Sequence, residues 1–215
     1  INITILVAAQ SELVVPVSCV EQGRWSSVSR RFRATHFATP HVRARKCVRV
    51  MESVACHGSF GGDQSEVWHD VAQELRFARA ASRTASLTDG IEATRSTAEE
   101  YRRNLALPED AAGVAIATDS RVVLFELFDT PRTMRRLWPR LSEACFFTFA
   151  HDESTRKPAP ERVIRDFADG VRGNLQVLSE TRGLGVGLGF SGRKMSGTGL
   201  CYEDRLLHLA AFPLD

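Results

Sequence analysis

Cys19, Glu21, Gln22, Arg24 and Trp25 fall within one seven-residue stretch that Gly23 interrupts. A thiol can act as a nucleophile, a carboxylate can take a proton, and a guanidinium grips an anion through two parallel hydrogen bonds. The residues before them, Val15-Pro16-Val17-Ser18, read as a strand. Because strand side chains alternate with a period of two, Cys19 and Glu21 are expected on one face and Ser18 and Val20 on the other. Loops at strand exits commonly carry function, so this stretch marks a candidate site.

His208 joins the set through an internal comparison. Gly113–Phe128 (GVAIATDSRVVLFELF) aligns without gaps to Gly197–Phe212 (GTGLCYEDRLLHLAAF), and Leu124 in the first copy corresponds to His208 in the second. If the last strand lies beside residues 19–21, His208 completes a Cys-His-Glu set in which the imidazole lowers the thiol pKa. The plainer reading makes Cys19 a buried apolar filler and His208 a hydrogen-bonded core residue. Cys19, Glu21, His208 and His57 are zinc-ligand types, yet no Cys/His spacing supports a metal site and none is expected. Gln64 stands at the start of a helix, one turn before Trp68. Free N–H groups there favour an anion.

A second constellation runs from Gln22 to Met51, which contains no Asp or Glu. It carries Arg24, Arg30, Arg31, Arg33, Arg43, Arg45, Lys46 and Arg49, interleaved with Trp25, Phe32 and Phe37. Guanidinium forks and aromatic faces suit a phosphate or a base. The alternative is a solvated loop whose charges meet acids such as Glu92, Glu99 and Glu100. Residues 22–62 read as one long basic loop with short strands.

The bulk properties set limits. With 215 residues, 43% hydrophobic, the chain can bury a real core as a single domain. The net charge of +2 argues against broad nucleic-acid coating. No apolar run of membrane-spanning length is visible. The five cysteines form no CxxC pair, which fits reduced thiols and a cytoplasmic setting. The first residue is Ile1, so the sequence reads as processed or truncated at its start.

The elements that must position these residues follow from pattern. Ile3–Val7 and Leu13–Val20 read as a hairpin. Asp63 and Glu66 have capping-box spacing ahead of an apolar stripe at Val67, Trp68, Val71, Ala72 and Leu75. A polar helix is expected from about Asp89 to Asn104. Gly113–Ala117 and Val122–Phe128 form a second hairpin, and Gly197–Phe212 a third. Thr130-Pro131 opens a helix with Met134, Leu137, Trp138, Leu141 and Cys145 inward, and Pro139 should kink it. A polar linker spans 151–159. A short helix follows that Gly170 should stop. The glycines from Gly183 to Gly189 suggest a strand closely approached by another backbone rather than a phosphate loop. The fold class is therefore α+β, with an antiparallel or mixed sheet built from hairpins and packed by the helices bearing Val67 and Leu137.

Pro16-Val17-Ser18-Cys19-Val20-Glu21-Gln22-Gly23-Arg24-Trp25 resembles the signature of the ARG and Rhodanese-Phosphatase-superfamily-associated protein domain, a mainly bacterial family of unknown biochemical role. Asp63-Gln64 with Val67-Trp68, the Phe128–Pro139 helix entry and His208–Phe212 also resemble it. The resemblance implies, through the neighbours that name the family, a link to ADP-ribose or phosphoester metabolism. It also implies a polar Gln-Asn-Arg stretch before the first strand seen here, and it supplies no catalytic residues.

Two functions are open. One is a pocket that binds or hydrolyses a phosphorylated or ADP-ribose/nucleotide-related small molecule. Cys19, Glu21 and His208 would be its chemical groups, and Gln22, Arg24, Trp25 and Gln64 its ligand contacts. The other is a non-catalytic ligand-sensing or interaction module, such as a nucleotide-sensing homo-oligomer. RNA binding through residues 24–49 is disfavoured. The sequence names no cofactor, and any enzyme would be a hydrolase.

Overall fold

The computed structural model describes residues 3–26, 36–119, 121–150 and 157–214. Arg30, Arg31, Phe32 and Arg33 of the basic stretch, and most of the 151–159 linker, lie outside the described residues, as does the side chain of Trp25.

The architecture is α+β. Six helices are described: α1 (Pro40–His57), α2 (Gln64–Phe77), α3 (Leu87–Ala93), α4 (Arg95–Asn104), α5 (Pro131–Ala150) and α6 (Glu161–Asn174). Six strands, β1 (Gly113–Thr118), β2 (Arg121–Phe128), β3 (Gln176–Val177), β4 (Val186–Ser191), β5 (Met195–Tyr202) and β6 (Arg205–Pro213), form one sheet in the order β1-β2-β6-β5-β4-β3. Every pairing is antiparallel. Strand alternation assigns the two faces. Val122, Leu124, Glu126 and Phe128 of β2 look one way, towards α1 and α5. Phe125 and Leu127 look the other way, onto Val171 and Phe167 of α6. The sheet is thus covered on both sides.

The two aligned hairpins meet at the middle of this sheet. β2 and β6 pair with Glu126 opposite Ala210, positions that the alignment makes equivalent. The join is therefore locally two-fold, and the sequence departs from that symmetry at the buried acid and at His208.

Several expectations need correction. Residues 3–20 form no hairpin; they are irregular, with a turn at Ala9-Gln10 and Leu6 bridged to Gly183 and Leu184. Val14 and Val17 stay exposed, while Ile3 and Val20 at the two ends pack against the core. The second half of the supposed basic loop is helix α1. Thr39 caps it, Pro40 opens it, and Gly58 closes it in the left-handed conformation. Cys47, Val50, Met51 and Val54 supply its buried stripe, and its arginines meet buried acids instead of solvent. Helix α1 also takes the place expected for the Val67 helix. It lies on β4, β5 and β6, while α2 packs behind it against α1 and α3.

The polar helix divides at Thr94 into α3 and α4. Helix α6 continues through Gly170 to Asn174. Gly170 lies against the Met195 methyl, 2.7 Å from where a Cβ would stand, and does not end the helix. Helix α5 carries Pro139 in its interior, and the Pro139 carbonyl accepts from the Ser142 hydroxyl at 3.0 Å.

Candidate functional site

The candidate residues singled out from the sequence fall in two assemblies. The first is the motif itself. Residues 20–23 lie antiparallel to 84–87: Leu87 N donates to Val20 O at 3.1 Å and Gly23 N to Thr84 O at 2.7 Å, with a bridge between Glu21 and Ser86. A Cβ at Gly23 would come within 2.8 Å of the Thr84 Cα, which explains the glycine inside the motif.

Cys19, Glu21, Arg24 and Gln64 each hold backbone or a neighbour. Gln64 accepts from Cys19 N at 2.8 Å and donates to Cys19 O at 2.7 Å, a two-bond clamp from the start of α2. The Cys19 thiol donates to the Glu21 carbonyl at 3.3 Å and not to its carboxylate. Glu21 accepts from Arg24 Nη1 at 3.1 Å and from the Thr84 hydroxyl at 2.9 Å. Gln22 is exposed at the head of a short 3-10 turn, Gln22–Ser26.

The second assembly centres on Glu126, whose side chain is fully buried. Inward on β2 and surrounded by apolar neighbours, a carboxylate must be paired to be tolerated. Arg43 of α1 reaches it as a fork, with Nη1 to Oε2 and Nη2 to Oε1 both at 2.8 Å. The guanidinium is itself held between the rings of Phe37 and Phe212, 5.1 and 5.0 Å from their centroids. The third partner is His208, whose Nε2 lies 2.8 Å from Glu126 Oε1 and whose ring stacks on Phe128. The remaining ring nitrogen, Nδ1, lies 2.5 Å from the Thr4 hydroxyl.

Burial alone would raise the Glu126 carboxyl pKa. The Arg43 charge, then the hydrogen bonds from His208 and Arg43, outweigh it and hold the group at about 2. Glu126 is therefore ionised at neutral pH and can only accept. That fixes the neutral His208 ring: Nε2 carries the proton, Nδ1 is the lone-pair nitrogen, and Thr4 must donate to it. Hydroxyl, imidazole and carboxylate stand in the order of a nucleophile, its base and the group that orients the base.

Thr4 also lines a small cleft of about 10 Å³, room for about one water molecule, with Phe60, Glu180, Thr181, Thr198 and Leu200. A wider, open groove of about 510 Å³ lies across the Gly58–Gly62 loop, lined by Arg49, Glu52, Cys56, His57, Asp63 and Glu66.

The sequence-derived set is thus split. The structure brings Cys19, Glu21, Arg24 and Gln64 together. It engages both His208 nitrogens elsewhere, so neither is bonded to Cys19 or Glu21. Arg45 and Arg49 share the buried carboxylate of Asp70, at 3.0 and 2.6 Å, and Arg49 also meets Glu66 at 3.3 Å. The arginines of α1 are thereby paired with Glu126, Asp70 and Glu66, acids other than Glu92, Glu99 and Glu100. Burial pushes the Cys47 thiol up to about 11 and the Cys145 thiol still higher, so these two stay protonated. Among the described residues no cluster of His, Cys, Asp and Glu could hold a metal ion, and no helix is long and apolar enough to cross a membrane.

Sequence reasoning missed Thr4 and Glu126. Glu126 had a signal: it is the one acid on the inward side of an otherwise apolar strand, and such an acid requires a partner. Thr4 had none, because its role depends on a segment without regular structure crossing the end of the sheet.

Comparison with curated proteins and with solved structures finds no match. The family comparison matches residues 1–212, and the chain belongs to the ARG and Rhodanese-Phosphatase-superfamily-associated Protein domain family.

Proposed function

We propose that this domain binds and hydrolyses a phosphorylated or ADP-ribose/nucleotide-related small molecule, with His208 as its proton-transfer group. One observation carries the reading: His208 sets Nε2 on the buried Glu126 carboxylate and Nδ1 on the hydroxyl of Thr4, a residue beside a small cleft. A base held in one tautomer by a buried carboxylate is the arrangement that general-base catalysis needs. The cleft has room for about one water molecule, so a ligand would lie over its mouth and not within it. The ligand class rests on the associations in the family's description.

The test pairs binding with turnover. The wild-type chain and the His208→Gln variant would be given ADP-ribose, an ADP-ribosylated peptide and an aryl phosphate, with calorimetry for binding and chromatography for products. The proposal expects turnover of one class, reduced about a hundredfold or more in His208→Gln. Absence of both binding and turnover for all three would refute it.

A second reading, a non-catalytic ligand-sensing or interaction module, draws on the motif. Glu21 holds Thr84, Gln64 clamps the Cys19 backbone to the start of α2, and the Cys19 thiol bonds to the Glu21 carbonyl, a structural use of these polar side chains. Binding without turnover, unchanged by His208→Gln, would favour it.

A further inference from the structure

We propose that residues 3–8 form a strap closed over His208, and that a ligand reaches the imidazole only when this strap lifts. The inference rests on the role of His208 proposed above and adds how that residue is reached.

The ring is held by two kinds of group. Glu126 and Phe128 belong to β2 and are fixed in the sheet. Thr4 belongs to no helix or strand, yet its hydroxyl occupies Nδ1 at 2.5 Å, the lone pair that a base must offer. With Thr4 in place the His208 side chain is 16% exposed. Ile3 and Thr4 also make one wall of the small cleft, whose other walls come from Phe60, residues 178–181 and strands β4 and β5. Leu200 of the cleft pairs with His208 across β5 and β6, so cleft and imidazole lie side by side under one segment. While the segment is down, the cleft has room for about one water molecule and a ligand stops at its mouth. Lifting it removes a wall of the cleft and the cap on Nδ1 together.

The strap is lightly seated. None of residues 3–8 is fully buried, and Val7 is 47% exposed. Among the described residues its backbone is tied down at one place, where Leu184 N donates to Leu6 O at 2.8 Å and Leu6 bridges Gly183 and Leu184. Ile3 packs against the core at the other end. Segments with few buried contacts open locally at much less than the cost of global unfolding, and active-site lids are drawn from them. The seat is nonetheless specific. Gly183 has a left-handed backbone, φ +84°, and a Cβ there would collide with the Leu6 carbonyl oxygen. The missing side chain at 183 is what lets the strap lie down.

The test reads the accessibility of His208 in the full 215-residue chain with diethyl pyrocarbonate, which acylates a bare imidazole nitrogen, followed by peptide mapping. In the wild-type chain His208 should react about tenfold or more slowly than the exposed His57, because a minor open state sets its rate. Gly183→Ala displaces Leu6 while keeping Thr4, Glu126 and His208, and should raise the His208 rate by about tenfold. Ile3→Asp loosens the other end of the strap and should do the same without straining the backbone at 183. Hydrogen exchange on the same variants should quicken at residues 3–8 and 183–185 and stay unchanged in β5 and β6. That separates lifting of the strap from loss of fold.

Acylation of wild-type His208 as fast as His57, or a rate unchanged in variants whose strap exchanges faster, overturns the proposal. So does a strap whose exchange neither substitution quickens, since residues 3–8 would then be an integral part of the core. The two proposals fail differently. If loosening the strap speeds acylation while no chain turns over ADP-ribose, an ADP-ribosylated peptide or an aryl phosphate, the strap stands and the hydrolytic reading falls. If turnover requires His208 and loosening the strap changes neither acylation nor turnover, the strap falls and His208 keeps its role.

Discussion

The motif around Cys19 and the network around Glu126 use similar residues to opposite ends. The first gathers a thiol, a carboxylate, an amide and a guanidinium within a few positions of sequence. The thiol and the guanidinium then bond to Glu21, Glu21 holds Thr84, and Gln64, from 45 residues away, clamps the Cys19 backbone to the start of α2. The second draws Thr4, Arg43, Glu126 and His208 from four distant places and leaves one hydroxyl–imidazole contact beside a cleft. Crowding of reactive side chains in sequence therefore marks a structural latch here. The acid–base pairing comes from tertiary structure, in which a helix and two strands face one another.

The comparison can be broken by substitution, and the largest effect is expected at Glu126. Glu126→Leu leaves Arg43 buried without its carboxylate and should destabilise the fold by about 3–5 kcal/mol in chemical denaturation. A cost under about 1 kcal/mol would mean that the ion pair does not organise the core.

Acidification should reach the same group. The Glu126 pKa is depressed when folded, so its contribution is fully present above the unfolded carboxyl value and is lost as pH falls towards about 2. The shift from 4.5 to about 2 corresponds to roughly 3 kcal/mol, to be seen in denaturation midpoints collected between about pH 5 and pH 2. A slope that persists unchanged in a folded Glu126→Gln variant would assign the acid sensitivity elsewhere.

The latch should give smaller effects. Gln64→Leu removes both bonds to the Cys19 backbone and should cost about 1–3 kcal/mol, while leaving any His208-dependent turnover intact. Loss of turnover at unchanged stability would return the motif to the chemistry. Arg24→Ala breaks a pair whose side chains are 25% and 22% exposed, and should change stability by no more than about 1 kcal/mol.

Much of this fold was legible because local patterns and tertiary packing agree. Asp63 does cap α2, accepting from Ser65 N and Glu66 N, and both late hairpins form. Thr130 accepts from Thr133 N at the head of α5, and Leu141 and Cys145 are buried on its inner side. Helix α1 was obscured because its apolar stripe is interleaved with arginines, and a charge run reads as solvated until its acids are located. Those acids, Asp70 and Glu126, come from another helix and a strand, which no local pattern in α1 reveals. The site was half legible. The alignment of two hairpins singled out His208 as a departure from an apolar slot, and the ring is hydrogen-bonded to Glu126 and Thr4. Its partners were misassigned because Cys19 and Glu21 are conspicuous in sequence, whereas Thr4 and Glu126 become polar partners only across the sheet.

The central claim is that Glu126 and Thr4 fix the His208 ring with its proton on Nε2 and its lone pair on Nδ1. Nitrogen-15 chemical shifts of the imidazole, assigned by comparison with His208→Gln and measured where the ring is neutral, test this directly. The account predicts a protonated Nε2 and a bare Nδ1, converting to a mixture of tautomers in Thr4→Val. A neutral ring protonated at Nδ1, or one already averaged between tautomers in the wild-type chain, would contradict it.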